Sequence, residues 1–426
     1  MNILVCDDDQ RLCDEIVHNI EESLGETPNQ LVGPKLTTEL TGFFKSIKGC
    51  LNVDAPENCT ALPANPFDEN VVILDNNLTL LDVEGAPLTA ESIAGYLRAF
   101  TRADYIISLN LNSDVDFDLR FLVGDYSTRA DLALNTSHLA NRALWNGNPA
   151  EAKDGFLPWY WPKLNTVGAK RREQIEFIRA HLNKPVLTSL AFDKVRTSQL
   201  SQHALGALSP KAEPEGTQDG GLAPEAISFI DVFVARDRSL PVRRERESLS
   251  KGIDNEVVRD IIARTVAADI DFWFRRSIVG PQEPLVDVPH LLMRLPFILG
   301  SQANNLNGWN SFSNREQPPF GLDQKLYETH LARTKYEHDL WVPHPSFWWH
   351  ELKNDPTLDE LFFAAEAGDW ADVVFCEDRS AFVEREPKGE EPPVEFPAEF
   401  EGAAWGRRHV AHIQGYQYAP RSRLAS

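Results

Sequence analysis

The chain is short of positive charge. Lysine and arginine number 42 against 64 aspartates and glutamates, giving a formal net charge of -22. That balance argues against a protein whose main business is gripping phosphate backbones, although one local basic face can exist within it. Lysine is absent from the long interval between Lys48 and Lys153. Cysteine is scarce as well: Cys6, Cys13, Cys50, Cys59 and Cys376 make an odd set with no CxxC pairing. Such a set reads as reduced thiols and speaks against a disulfide frame or a zinc site. No stretch of 18 apolar residues occurs, and no basic segment leads into a long apolar run at the start. Asn58-Cys59-Thr60 fits a glycosylation sequon, but nothing else supports secretion. We therefore expect a soluble, cytoplasmic protein without membrane association.

What is present is ordinary globular material: 426 residues, 42% hydrophobic and 25% charged, enough for two or three domains. One stretch organises the rest. In Asn2 to Asp9, NILVCDDD, an apolar run of strand formers opens directly into three carboxylates. A short continuous apolar run suits a strand buried on both faces of a parallel sheet. Leu12, Ile16, Ile20 and Leu24 then recur every four residues, and Gly25 ends the pattern. Asp9 can cap that helix; Asp7 and Asp8 cannot both do so. Like charges so close repel unless a cation or proton sits between them, and a hard divalent ion prefers oxygen ligands.

Leu31-Val32 is a short strand candidate, and Leu36, Leu40, Phe43, Phe44 and Ile47 predict a second amphipathic helix. Residues 50–68 turn to Asn, Pro and Ala, an insertion or long loop. Val71-Val72-Ile73-Leu74 is the next buried strand, and it too ends on a carboxylate, Asp75. Gly85-Ala86-Pro87 punctuates a loop, Thr89 can cap a helix through Ile93, Leu97 and Phe100, and Tyr105 to Leu109 is a third strand ending on Asn110. Alternation of this kind predicts an α/β fold, a doubly wound parallel sheet whose ligand site lies beyond the carboxyl ends of its strands. Asp7, Asp8 and Asp75 should meet at one edge of it. One buried strand ending in aspartate is common; two doing so, one with an acidic pair, is harder to assign to strand ends and caps alone.

NILVCDDD, VVILDNN, a glycine-containing loop, a helix and YIISLN together resemble the receiver domain of bacterial response regulators, over roughly the first 110 residues. The resemblance implies a flavodoxin-like sheet in which Asp7 and Asp8 hold Mg2+, and Asp75 binds the metal and accepts a phosphoryl group from a histidine kinase. It implies that Asn77 offers its backbone carbonyl to the metal. There are departures. Asp7 and Asp75 stand 68 residues apart, longer than the family shows, which the 50–68 insertion explains. Asn110 fills the slot that normally holds Thr or Ser, with Ser108 pointing the same way two residues earlier. The family's lysine after the last strand is missing: Ala133-Leu134-Asn135 ends where that strand should, and Lys184-Pro185, opening the apolar stretch PVLTSLAF, is the substitute candidate from a late strand.

Beyond this, Trp145, Trp159 and Trp161 suggest a packed aromatic segment closing the first domain, and Arg171 to Leu182 a helix. The expected organisation is a receiver-like domain over 1–210, a Pro/Gly/Glu linker over 211–224, a mainly helical domain over 225–368 and a small β-containing tail over 369–426. Asp254 to Ser277 predicts a strong helix, and Asp287 to Gly300 another, kinked at Pro296. Arg243, Arg244, Arg246, Arg275 and Arg276 read as solvated surface, no helix-turn-helix pattern is visible, and DNA binding is not expected. His338, His344 and His350 match no common metal spacing and read as packed aromatic structure among Trp341, Trp348 and Trp349. Glu377 and Asp378 follow an apolar run, with no partner visible in the sequence.

The resemblance points to a phosphoacceptor rather than an enzyme, with a histidine kinase upstream and a protein effector, or a phosphate-sink role, downstream. Two alternatives stay open: a magnesium-dependent phosphohydrolase using the same acidic edge, and a pseudo-receiver scaffold without phosphotransfer. Haloacid-dehalogenase-like phosphatases need DxDx[T/V]; Asp7-x-Asp9 has the spacing, but Arg11 stands in the Thr/Val slot.

Overall fold

The computed structural model describes residues 1–47, 61–62, 64–83, 86–109, 129–192, 194–208, 223–236, 255–313, 327–358, 370–384, 408–410 and 416–418. Its contacts divide into two compact units: 1–153 with 162–190 and 208–272, and 154–161 with 191–207 and 273–426. Most of the 50–68 insertion and of the 211–224 linker lies outside the described residues, as do Arg243, Arg244 and Arg246.

In the first unit, β1 (Ile3–Asp7), β2 (Asn29–Val32), β3 (Val71–Asp75), β6 (Tyr105–Leu109) and β7 (Leu132–Leu134) form one sheet in the order β2-β1-β3-β6-β7. Every pairing in it is parallel. Setting aside a hairpin described below, this is the flavodoxin-like order in which the first strand to the left of the crossover and the first to its right flank the ligand crevice. β1, β3 and β6 are buried at all positions, as their continuous apolar runs require. α1 (Gln10–Leu24) buries Cys13, Ile16, Val17 and Ile20; of the expected stripe, Ile16 and Ile20 are buried while Leu12 and Leu24 are half-buried at its margins. Gly25, at φ 72°, closes it in the left-handed conformation that a Cβ disfavours. α2 (Gly33–Ile47) covers the sheet with Leu36, Leu40, Phe43 and Ile47. α3 (Ala90–Phe100) starts in a capping box between Thr89 and Ser92.

Two features differ from expectation. The chain after Asp75 is no simple loop: β4 (Asn77–Val83) and β5 (Ala86–Thr89) form an antiparallel hairpin, with an irregularity between Leu78 and Val83. Leu78, Leu81, Val83 and Leu88 are buried in the same core as α2, so the hairpin is held by apolar burial. The second difference concerns the expected late strand. Residues Val186–Ser189 form a helical turn, not a strand, and Pro185 makes only an isolated bridge to Ser228.

A buried ionic network braces the back of this unit. Asp131 receives hydrogen bonds from Arg98 of α3 and, at 3.0 Å, from Arg171 on the helix Val167–His181, and it also accepts the Ile106 backbone N–H at 2.8 Å. Asp271, on the helix Glu256–Trp273, accepts from Gln174 at 3.1 Å. Val258, Ile261, Ile262, Val266 and Ile270 on that helix are buried, recurring at the three- and four-residue spacing of one helical face.

The second unit is mainly helical, with two small sheets. β8 (Leu285–Asp287) pairs antiparallel with β9 (Ser346–Trp348); β10 (Val373–Cys376), β11 (Ala381–Glu384), β12 (Arg408–Val410) and β13 (Tyr416–Tyr418) form the order β11-β10-β12-β13. The helix Val288–Arg294 stops at Leu295, and Pro296 starts a separate 3-10 segment, since proline cannot continue the hydrogen-bond ladder. Trp341 and Trp348 pack with Phe192, Phe274 and Tyr336, and His344 stacks on Trp159 at 3.6 Å between ring centres. His344, Trp341 and Trp348 are thus packed aromatic structure, whereas His350 is exposed. Among the described residues no helix is long and apolar enough to cross a membrane.

Candidate metal centre

β1 and β3 are adjacent and in parallel register, with Cys6 opposite Leu74, so the residues that follow them emerge side by side at the carboxyl edge. Asp7 and Asp75 are the last residues of their strands, and Asp8 follows Asp7. Asp7, Asp8 and Asp75 each place a carboxylate oxygen within 4.8 Å of the other two. Asp7 and Asp75 are buried and Asp8 is half-buried.

The electrostatics follow from that packing. Burial pushes the Asp7 carboxyl up to about 6, with the charges of Asp8 and Asp9 adding to the rise. Burial does the same for Asp75, again to about 6, with Asp7 the next cause and Asp8 a smaller one. Hydrogen bonds work the other way. Asp7 Oδ1 accepts the Asp9 backbone N–H at 2.8 Å, and Asp75 Oδ2 accepts that of Asn77 at 3.1 Å. Those donors fix the carboxylates in place without neutralising them. Asp7 Oδ2 is buried with no hydrogen-bond partner. A buried carboxylate oxygen left unpaired is costly unless a cation or proton compensates it. Three clustered oxygen donors, one of them orphaned, fit a hard divalent cation, which takes one or two carboxylates directly and completes its shell with water and phosphate. The cluster is therefore capable of coordinating a divalent ion.

Asp9 does something different from its neighbours. Its side chain accepts from the backbone N–H groups of Arg11 at 2.8 Å and Leu12 at 3.3 Å, capping α1 as expected. Gly33, at φ +50°, starts α2 beside this edge; a Cβ there would lie 3.6 Å from the Asp8 carbonyl oxygen. Asn77 heads β4 opposite Thr89, and its side chain accepts from the Thr79 hydroxyl at 2.6 Å. Between Asp75 and Asn77, Asn76 is anchored on both sides, its N–H to the Leu109 carbonyl at 2.8 Å and its carbonyl accepting from Ala90 at 3.3 Å. Ser108, buried on β6, directs its hydroxyl at Asn76 Oδ1 at 3.4 Å. Asn110 lies outside the described residues.

The end of the last sheet strand carries no cation. β7 stops at Leu134, and Asn135 caps the following turn by accepting from the Ser137 N–H at 3.1 Å. Lys184 is exposed on the turn after the helix Val167–His181 and does not arrive from the end of a sheet strand, because the expected strand is the helical turn Val186–Ser189. That corrects the route by which it was expected to reach the acidic edge.

One cluster is not legible in the sequence. Glu377, which had no visible partner, places Oε1 3.1 Å from His290 Nε2, while His290 Nδ1 lies 2.6 Å from Asp287 Oδ1. The signal was present only in part: Asp287 stands three residues before His290, as a helix cap does, but nothing local points from either to Glu377.

The fold and site together define a flavodoxin-like parallel-sheet domain with an acidic cluster at the carboxyl edge of its first and third strands, followed by a mainly helical region. No protein-family model, curated protein or solved structure matches the chain.

Proposed function

We propose that this chain is a response-regulator-like signalling protein that accepts a phosphoryl group on Asp75 from a histidine kinase, with Mg2+ held by Asp7, Asp8 and Asp75. The observation that carries this reading is the convergence of those three carboxylates within 4.8 Å at the switch point of a β2-β1-β3-β6-β7 sheet. Magnesium, when bound, neutralises charge on the transferred phosphoryl oxygens. The chain supplies the rest. An Asp75 oxygen attacks phosphorus, the bond from phosphorus to the kinase imidazole nitrogen breaks, and that nitrogen keeps the electron pair and takes up a proton. The product on this chain is an acyl phosphate. The backbone N–H of Asn77 orients Asp75 for the attack. The Asn77 carbonyl is the proposed fourth protein ligand, and Asn110 the proposed donor to a phosphate oxygen.

Output through a protein effector, or service as a phosphate sink, fits a chain with net charge -22 better than DNA binding does. In either case phosphorylation shifts a two-state population only by the difference in its interaction with the two states. The hydrolase alternative is disfavoured by Asp9: the side chain that a DxD phosphatase would use for acid–base work is committed to capping α1. The test uses the full chain with MgCl2 and acetyl phosphate, resolved on a phosphate-affinity gel beside Asp75→Asn. A shifted band that requires both magnesium and Asp75 is expected. Rapid release of free phosphate without accumulation supports the hydrolase, and no reaction supports the scaffold.

A further inference from the structure

The second unit contains a buried ionic cluster that has no part in the acidic site. Asp287 is wholly buried at the end of β8 and caps the helix Val288–Arg294 by accepting the His290 N–H at 3.2 Å. Its Oδ1 also meets His290 Nδ1 at 2.6 Å. Its Oδ2 accepts from Trp159 Nε1 at 2.9 Å, from the Tyr160 hydroxyl, and from Gln282 Nε2 at 3.1 Å. The other face of the imidazole meets Glu377, also wholly buried, at 3.1 Å. Glu377 is the residue after β10. Its N–H donates to the His409 carbonyl of β12 at 2.9 Å, and its carbonyl accepts from Trp159 at 2.7 Å. One histidine therefore stands between two buried carboxylates, one at the end of β8 that caps its own helix and one immediately after β10 of the C-terminal sheet.

Nδ1 hydrogen-bonds Asp287, whereas Nε2 meets Glu377 as a close ion pair at 3.1 Å that lies off the line of a hydrogen bond. Only the imidazolium, with its charge and two N–H groups, serves both carboxylates. A neutral ring can serve one of them and leaves the other buried against a lone pair. Because Asp287 is local and makes five hydrogen-bond contacts, Glu377 is the partner that loses.

We propose that His290 is a proton-controlled latch: in its doubly protonated form it holds Glu377, and through Glu377 the strands β10 and β12, against the helix Val288–Arg294, and loss of one proton releases those strands. This inference is independent of the receiver reading.

Among the titratable and charged groups around the pair, His409 is buried on β12, where its carbonyl accepts the Glu377 N–H. The segments 296–304 and 306–313 beside the helix carry no charged side chain. On the helix's own last turn, Arg294 stacks over Trp349 at 4.5 Å. Asp378 and Arg379 follow Glu377 on the turn after β10, with the Asp378 carbonyl tied to the Leu157 N–H at 2.8 Å. Tyr160 and His344 face Asp287.

The direction of the pH effect follows. Burial by itself lowers the His290 pKa, but the charge of Asp287, its hydrogen bond and the contribution of Glu377 outweigh it and raise the pKa above the ordinary 6.5. Burial by itself raises the Asp287 pKa, but His290 and Tyr160 outweigh it and hold that carboxyl below the usual carboxylate range, so mild acid does not open the latch. Release of the strands removes Glu377 and leaves Asp287 in place. The latch is therefore fully closed below the His290 pKa that Asp287 alone sets, and is lost as pH rises towards the pKa that both carboxylates set.

The experiment measures hydrogen-exchange protection in the full chain between about pH 6 and about pH 10, corrected for intrinsic exchange, alongside an NMR titration of His290. Wild type is compared with Glu377→Gln, which keeps an acceptor for a neutral ring, and with His290→Gln. Three results are expected. His290 titrates at higher pH in wild type than in Glu377→Gln. Protection of β10 and β12 in wild type falls by up to about tenfold per pH unit between those two midpoints. The same strands show no such slope in Glu377→Gln, while β1 and β3 follow neither change. The proposal is overturned by equal midpoints, by no titration in the range, by flat protection across the wild-type titration, or by an unchanged slope in Glu377→Gln. Should His290→Gln fail to fold, the Glu377→Gln comparison decides alone.

Discussion

Replacing Asp75 with asparagine removes a charge from a place where charge is unfavourable without a cation. The carboxyl titrates at about 6 in the folded chain against 3.8 in its reference state, raised first by burial and then by Asp7 and Asp8. A rise of about two pK units corresponds to about 3 kcal/mol of native-state penalty on the ionised form. The sign is fixed by proton counting. Between about pH 4 and about pH 6 the native state holds protons that the unfolded chain has released, so stability falls as pH rises through the folded value and stays low above it. Asparagine escapes that penalty but accepts the Asn77 N–H less strongly than a carboxylate does, which returns about 1 kcal/mol. With EDTA at pH 7.5, Asp75→Asn should therefore stabilise the first unit by about 1–2 kcal/mol. Urea titration checks this, with hydrogen exchange in β1 and β3 assigning the transition to the first unit. Magnesium should narrow the gap, because an ion that binds only the native state stabilises wild type by mass action and the variant less. A less stable variant in EDTA, together with no magnesium response in wild type, would refute the reasoning.

Magnesium affinity should fall as pH drops through about 6, because Asp7 and Asp75 must both be ionised to act as ligands; isothermal titration at pH 7.5 and pH 5 measures it. Asp131→Ala should destabilise the first unit by about 3–5 kcal/mol, since it leaves the buried Arg98 and Arg171 guanidiniums without their shared carboxylate; chemical unfolding reads the loss. Asp9→Ala should cost about 1 kcal/mol of stability through the lost cap of α1 while leaving Asp75-dependent phosphorylation in place; a full loss of labelling would place Asp9 in the chemistry instead.

Much of the first unit was legible in the sequence because its signals are local. The apolar runs 3–6 and 71–74 became fully buried strands, Asp9 and Thr89 became helix caps, and Gly25 ended α1. The hairpin β4–β5 was not legible. Its apolar residues Leu78, Leu81, Val83 and Leu88 are split by Gly85-Ala86-Pro87, which reads as a loop, and only burial against the α2 side of the core makes strands of them. PVLTSLAF failed in the opposite way. Its apolar content suited a strand, but the Val186 N–H pairs with the Ile227 carbonyl while Ser189 and Leu190 turn back on Pro185 and Val186, and the segment closes into a helical turn.

What the sequence alone determined was where buried strands end on carboxylates, since the period of hydrophobicity and the chemistry of caps act over a few neighbouring residues. Only the tertiary structure decided which of those ends meet. Parallel pairing of β1 with β3 set Asp7 and Asp8 beside Asp75, and packing of β10 near the helix Val288–Arg294 brought Glu377 to His290. Both encounters join residues far apart in the chain. They exist because burying apolar faces offsets the cost of crowding charge, and no local pattern encodes which faces those will be.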